Sequence, residues 1–97
     1  MDKVKILNVL TNIVGDYLQT QNIKISIDKN TPLIGRESKL DSIGLVNVII
    51  DIESSFLDED LEISLTSEKA MSMRMSPFRT IETLSEYIFE QIGESHE

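Results

Sequence analysis

The stretch from Ser42 to Phe56 limits the fold more than any other part of the chain. Ile43, Leu45, Val46, Val48, Ile49, Ile50, Ile52 and Phe56 make it apolar almost throughout. Its polar residues, continued by Asp58, fall at Asn47, Asp51, Ser54 and Asp58, at steps of four, three and four. That spacing draws one narrow wet stripe along an otherwise apolar helix. β-branched residues are abundant, so a buried strand is the competing reading. Length decides for the helix, because ordinary strands run to only about 5–6 residues. A helix that is apolar on most sides needs other elements packed around it.

The rest of the chain supplies helices. Lys3 to Gln21 has helical periodicity, through Val4, Leu7 and Leu10 or through Ile6, Leu10, Ile13 and Tyr17, and Asp2 is placed to cap it. Gly15 weakens this helix by about 1 kcal/mol relative to Ala without ending the pattern. Asn22 to Lys39 reads as a long loop. Asn30-Thr31-Pro32 marks a turn in it, since the residue before proline is pushed out of the helical region. Ile23, Ile25 and Ile27 alternate with polar residues but have no partner strand. They predict an extended segment pinned to the helices by its isoleucines, after which Leu33 and Ile34 re-enter the core and Gly35 lets the chain turn away.

Beyond the central helix, Leu57 to Leu65 is an acidic connection. Thr66 or Ser67 can cap a short helix over Glu68 to Met73. Arg74 to Arg79 is a second loop, broken by Pro77. Thr80 then caps a last helix, Ile81 to Ile92, with Ile81, Leu84, Ile88 and Ile92 on its apolar face and Gly93 at the stop position. Glu94 to Glu97 reads as a frayed tail. The expected fold class is all-α, a four-helix bundle of three main helices and one short one. A long loop separates the first and second helices, and residues 1–97 form one domain.

Composition removes several function classes. Lys and Arg number 9 against 17 Asp and Glu, a net charge of -8. Such a chain is a poor neutraliser of nucleic-acid phosphates or of anionic membrane surfaces, and its natural partners are basic patches on proteins. Residues from Leu40 to Glu68 include eight acidic and no basic ones, either a solvated face or a docking surface. Without cysteine there is no disulfide framework, thiolate metal site or thiol nucleophile. His96 is the sole histidine, so a Ser-His-Asp triad or multi-histidine metal site is not expected. No run approaches the roughly 18 apolar residues of a membrane span, and the opening residues do not read as a leader. The expectation is a soluble, cytoplasmic monomer without membrane insertion.

Two minor patterns carry little. Asp58 to Ser64 has the acidic spacing of a calcium loop, but Ile63 stands where that loop needs glycine and Lys69 where it needs glutamate, so no metal site is expected. Met71, Met73 and Met75 alternate around Arg74 and read as core plugs or as the lining of an adaptable pocket.

Chemistry is concentrated at Leu40-Asp41-Ser42-Ile43-Gly44-Leu45-Val46. A serine at a helix start sits among backbone N–H groups without partners, at the positive end of the dipole. A phosphate esterified to its hydroxyl is stabilised by the same groups. Asp41 offers a carboxylate to a metal or to a basic enzyme residue. On position alone the simpler reading is that Ser42 is an N-cap and Asp41 solvates the loop.

Asp41-Ser42-Ile43-Gly44-Leu45-Val46, followed by Asp51-Ile52-Glu53 and Phe56, resembles the serine motif and recognition helix of acyl carrier proteins. Thr31-Pro32-Leu33-Ile34-Gly35 resembles the loop that precedes this motif in stand-alone carriers. Ser76-Pro77-Phe78-Arg79-Thr80-Ile81, with Leu84 and Tyr87-Ile88, resembles the entry to their last helix. The resemblance implies that Ser42 is esterified with 4′-phosphopantetheine from coenzyme A by a separate phosphopantetheinyl transferase. The thiol of the arm would hold an acyl group as a thioester. The chain would itself be no enzyme; it would present its cargo to a ligase, synthase or acyltransferase docking on Leu45, Val46, Asp51 and Glu53.

Carriers of fatty-acid biosynthesis usually place acidic residues two and five positions after the serine, where this chain has Gly44 and Asn47. The loop before the last helix is also longer than in minimal carriers. Both departures favour a dedicated carrier of a specialised lipid, polyketide or surface-glycan pathway. An aminoacyl or peptidyl carrier of a nonribosomal-peptide-type pathway is the alternative on the same scaffold. Those more often have glycine before the Asp-Ser or His-Ser pair, where Leu40 stands here. A helical interaction module without a prosthetic group is the third reading.

Overall fold

The computed structural model describes residues 2–34, 38–65 and 77–95 and has three helices: α1 (Lys3–Thr20), α2 (Ser42–Leu57) and α3 (Ile81–Ser95). The described residues include no strand; Pro32 and Thr80 form an isolated antiparallel bridge. The short helix expected over Glu68 to Met73, the turn at Gly35, the methionines 71, 73 and 75, and His96 lie outside the described residues. No helix among the described residues is long and apolar enough to cross a membrane.

The sequence marks the start of α1 well. The Lys5 N–H donates to the Asp2 carboxylate at 2.8 Å, which satisfies one of the opening N–H groups. Of the two faces open in the sequence, the one containing Ile6 turns inward: Ile6, Leu10, Val14 and Leu18 are buried, and Val4 is exposed. At the far end Asn22 adopts φ 60°. The Asn22 N–H donates to Gln19 O at 3.0 Å and the Ile23 N–H to Leu18 O at 2.9 Å. This is the Schellman stop, with Asn in place of the usual Gly.

The described residues of the connection to α2 contain no helix, as expected, but only some of its isoleucines pack. Ile23 and Ile27 rest against the core, and Ile25 is exposed. Leu33 is buried, whereas Ile34, expected to re-enter the core beside it, is exposed where the chain bends. This connection also completes α3. The Ile81 N–H donates to Thr31 O at 3.1 Å and the Glu82 N–H to Lys29 O at 2.8 Å. Thr80 caps the helix as expected: its Oγ1 accepts from the Thr83 N–H at 3.1 Å, and the Thr80 N–H donates back to Thr83 Oγ1 at 3.0 Å.

Ile81, Leu84, Ile88 and Ile92 are all buried, as their spacing predicts. The predicted stop at Gly93 is corrected: α3 runs through it to Ser95. One glycine weakens a helix by only about 1 kcal/mol. Glu94 and Ser95 also lack the apolar side chain that closes a glycine stop.

α1 packs against both other helices. Val48, Ile52 and Phe56 of α2 join its buried face, and Leu33, Ile63, Leu65 and Phe78 fill in from the connections. Burying each such side chain contributes roughly 1.5–3 kcal/mol. Ser85 is the buried polar residue among the described residues of this core, and its hydroxyl donates to Glu82 O at 2.7 Å.

Candidate functional site

The site is the first turn of α2, and its cap differs from the expected one. Asp41, in extended backbone, is the N-cap: its Oδ1 accepts from the Gly44 N–H at 2.6 Å. The Asp41 carbonyl accepts the first helical bond, from the Leu45 N–H at 2.9 Å. Ser42 is therefore the first helical residue and not the cap. Aspartate caps as well as serine does, and its charge is additionally favoured at the positive end of the dipole. The N–H groups of Ser42 and Ile43 belong to the opening turn, which has no carbonyls of its own to receive them.

Gly44 is buried beneath α1. A β-carbon there would lie 2.9 Å from Tyr17 Cε2, 3.0 Å from Tyr17 Oη and 3.1 Å from Asp41 Oδ1. The space a side chain at Gly44 would need is thus taken by the Tyr17 ring and the Asp41 carboxylate. No sequence signal joins Gly44 and Tyr17, which lie in different helices.

The four expected docking residues divide. Val46 and Asp51 face solvent. Leu45 is half-buried and packs on the core. Glu53 is half-buried, and its Oε2 accepts from the Leu65 N–H at 3.0 Å, which ties the following connection to α2. Asn47, five positions after Ser42, is exposed.

α2 also presents a face that its sequence did not announce. The wet stripe of Asn47, Asp51, Ser54 and Asp58 is exposed. Beside it, Ile43, Val46, Ile50 and Leu57 are 73, 53, 54 and 62% exposed. In a helix this apolar, periodicity cannot tell which apolar side chains the neighbours cover. Toward Leu57 this row meets a shallow hollow lined by Ile50, Glu53, Ser54, Leu57, Glu62 and Ile63.

Charge is uneven along α2. Lys39 is exposed just before its start, and Asp51, Asp58, Glu59, Asp60 and Glu62 are exposed along its second half and beyond. No group of acidic or histidine side chains among the described residues could hold a metal ion. No family model, curated protein or solved structure matches the chain.

Proposed function

We propose that the chain is a carrier protein, with 4′-phosphopantetheine esterified to the Ser42 hydroxyl and an acyl group held on the arm as a thioester. One observation carries the reading: Ser42 opens α2 while Asp41, and not Ser42, caps it. Asp41 thus supplies the cap that was the simpler reading of Ser42. The opening N–H groups and the positive helix end suit the phosphodiester that such an attachment creates. The flanking Ile43 and Asp41 are exposed, so a transferase can reach this turn.

When bound, the group would supply the thiol that this cysteine-free chain lacks. The residues of the chain would hold and present it: Ser42 as the attachment point, Asp41 as the cap that fixes the turn, and Tyr17 with Gly44 as the packing beneath it. The reading includes the four-helix carrier fold, of which α1, α2 and α3 would be the long helices. The chain would catalyse nothing itself, being modified by a phosphopantetheinyl transferase and then loaded by a ligase, synthase or acyltransferase. Gly44 and Asn47 favour a specialised lipid, polyketide or surface-glycan pathway.

Intact mass after incubation with coenzyme A and a broad-specificity phosphopantetheinyl transferase tests the attachment. The expected result is one arm on the parent and none on a folded Ser42→Ala variant. No gain on the parent overturns the reading, and a gain on Ser42→Ala places the attachment elsewhere.

A further inference from the structure

Lys24, Ile25, Ser26 and Ile27 lie in neither a helix nor a turn. No backbone N–H or C=O of these four is hydrogen-bonded to any described residue. The segment is held at both ends. Before it, the Ile23 N–H donates to Leu18 O at 2.9 Å. After it, the Asp28 N–H donates to Thr31 Oγ1 at 2.9 Å, and the Thr31 N–H donates to Asp28 O at 3.1 Å. Ile23 and Ile27 pack on the core, while Lys24, Ile25 and Ser26 are exposed. Isoleucine favours strands, and backbone with unpaired N–H and C=O groups is a template for pairing with another strand. The described residues of the chain supply no such strand.

The segment is complementary to itself. Set antiparallel to a second copy about Ser26, it places Lys24 opposite Asp28 and Ile25 opposite Ile27. A twofold axis makes each of these contacts twice. Opposite charges and β-branched residues facing each other across two strands stabilise the pairing, and like charges weaken it. Lys24 and Asp28 are exposed, and neither has an ion pair among the described residues. The charge of the rest of the chain favours the same place. The chain carries a net charge of -8, but residues 22–30 hold Lys24 and Lys29 against Asp28 alone. Two copies can meet here without setting one acidic surface against another. We propose that a second copy of this chain is the missing strand, and that two copies form a weak twofold dimer by antiparallel pairing of residues 24–28 centred on Ser26. The monomer expected from composition is then the dilute state. The pairing is independent of the carrier reading, which the mass measurement with coenzyme A tests separately.

The test is sedimentation of the full chain together with its amide nuclear magnetic resonance spectrum as concentration rises. Two short strands alone pair weakly, so the range runs from about 10 µM to about 1 mM. A shift from monomer toward dimer is expected across it, with amide shifts confined to residues 23–29. Lys24→Asp sets carboxylate against carboxylate, and Asp28→Lys sets lysine against lysine. Each alone is expected to weaken the dimer about tenfold. An equimolar mixture of the two restores opposite charges at both contacts and is expected to recover the dimerisation of the parent. Ile25→Asp, at an exposed position, is expected to abolish it. Asp28 also accepts from the Asn30 N–H at 2.8 Å, so if Asp28→Lys alters the loop, Lys24→Asp and Ile25→Asp decide the matter. A chain still monomeric at about 1 mM overturns the proposal, as do amide shifts centred elsewhere. A dimer unchanged by Lys24→Asp or by Ile25→Asp also overturns it. So does a mixture of two folded variants that is no more dimeric than either alone.

Discussion

The ring of Tyr17 stands where a β-carbon on Gly44 would have to go, with its Cε2 2.9 Å from that point. Gly44 lies within regular helix, so the glycine is needed here for space and not for an unusual dihedral angle. Its consequence is a close approach of α1 to the turn that begins with Ser42.

Gly44→Ala separates two opposed effects. Helix propensity alone favours alanine by about 0.8–1.0 kcal/mol. Overpacking against Tyr17 costs about 1–3 kcal/mol. The crowding is expected to win by about 1 kcal/mol, lowering Tm by roughly 4–8 °C in a domain of this size. Adding Tyr17→Leu should make the double variant less destabilised than the sum of the single changes. A Gly44→Ala variant more stable than the parent would show that the Tyr17 ring moves aside freely.

The adjacent pair Asp41 and Ser42 should behave oppositely in stability and modification. Asp41→Ala removes the cap on Gly44 N–H and is expected to cost about 0.5–2 kcal/mol. Ser42→Ala should stay within about 0.5 kcal/mol of the parent while abolishing the site. Urea denaturation with a common slope measures both. The reverse ranking would assign the cap to Ser42.

Glu53 is expected to anchor the chain beyond α2. Its carboxylate receives the N–H of Leu65, a fully buried residue. Glu53→Ala should cost about 1–3 kcal/mol, because it leaves that N–H without its acceptor. Glu53→Gln keeps an oxygen acceptor and should lose less. Hydrogen exchange at the Leu65 amide is the direct readout, and it should speed up in Glu53→Ala. Unchanged exchange there would mean that the bond contributes nothing to holding the connection.

What could be read in the sequence was local. Asp2 and Thr80 announce their helices because a cap acts within three residues, and Ile81, Leu84, Ile88 and Ile92 announce a face because polar residues separate them. Asp41 and Ser42 are neighbours that can both cap, so sequence alone could not choose between them. Gly93 shows the converse, a stop residue without the apolar contact that completes a stop. The division of α2 into buried Val48, Ile52 and Phe56 and exposed Ile43, Ile50 and Leu57 depends on where α1 lies. The crowding of Gly44 by Tyr17 is tertiary in the same way.

Tyr17 also changes how partner choice can be tested. On the carrier reading proposed above, if general elongating enzymes grip acidic residues two and five positions after the serine, the loaded chain should serve them poorly. An acidic side chain at Gly44 would displace Tyr17, so its loss of function would confuse charge with packing. Asn47 is exposed, and Asn47→Glu changes the charge there without entering the core. The comparison is therefore between the parent, Asn47→Glu and an ordinary fatty-acid carrier, each loaded with the same acyl group and offered to one general elongating synthase. The parent should turn over more slowly than the ordinary carrier, and Asn47→Glu should recover part of the difference, mainly through association at low salt. Equal turnover of the parent and the ordinary carrier would return the chain to general fatty-acid synthesis. If Asn47→Glu remains as slow as the parent at every ionic strength, then charge five positions after Ser42 does not set partner choice.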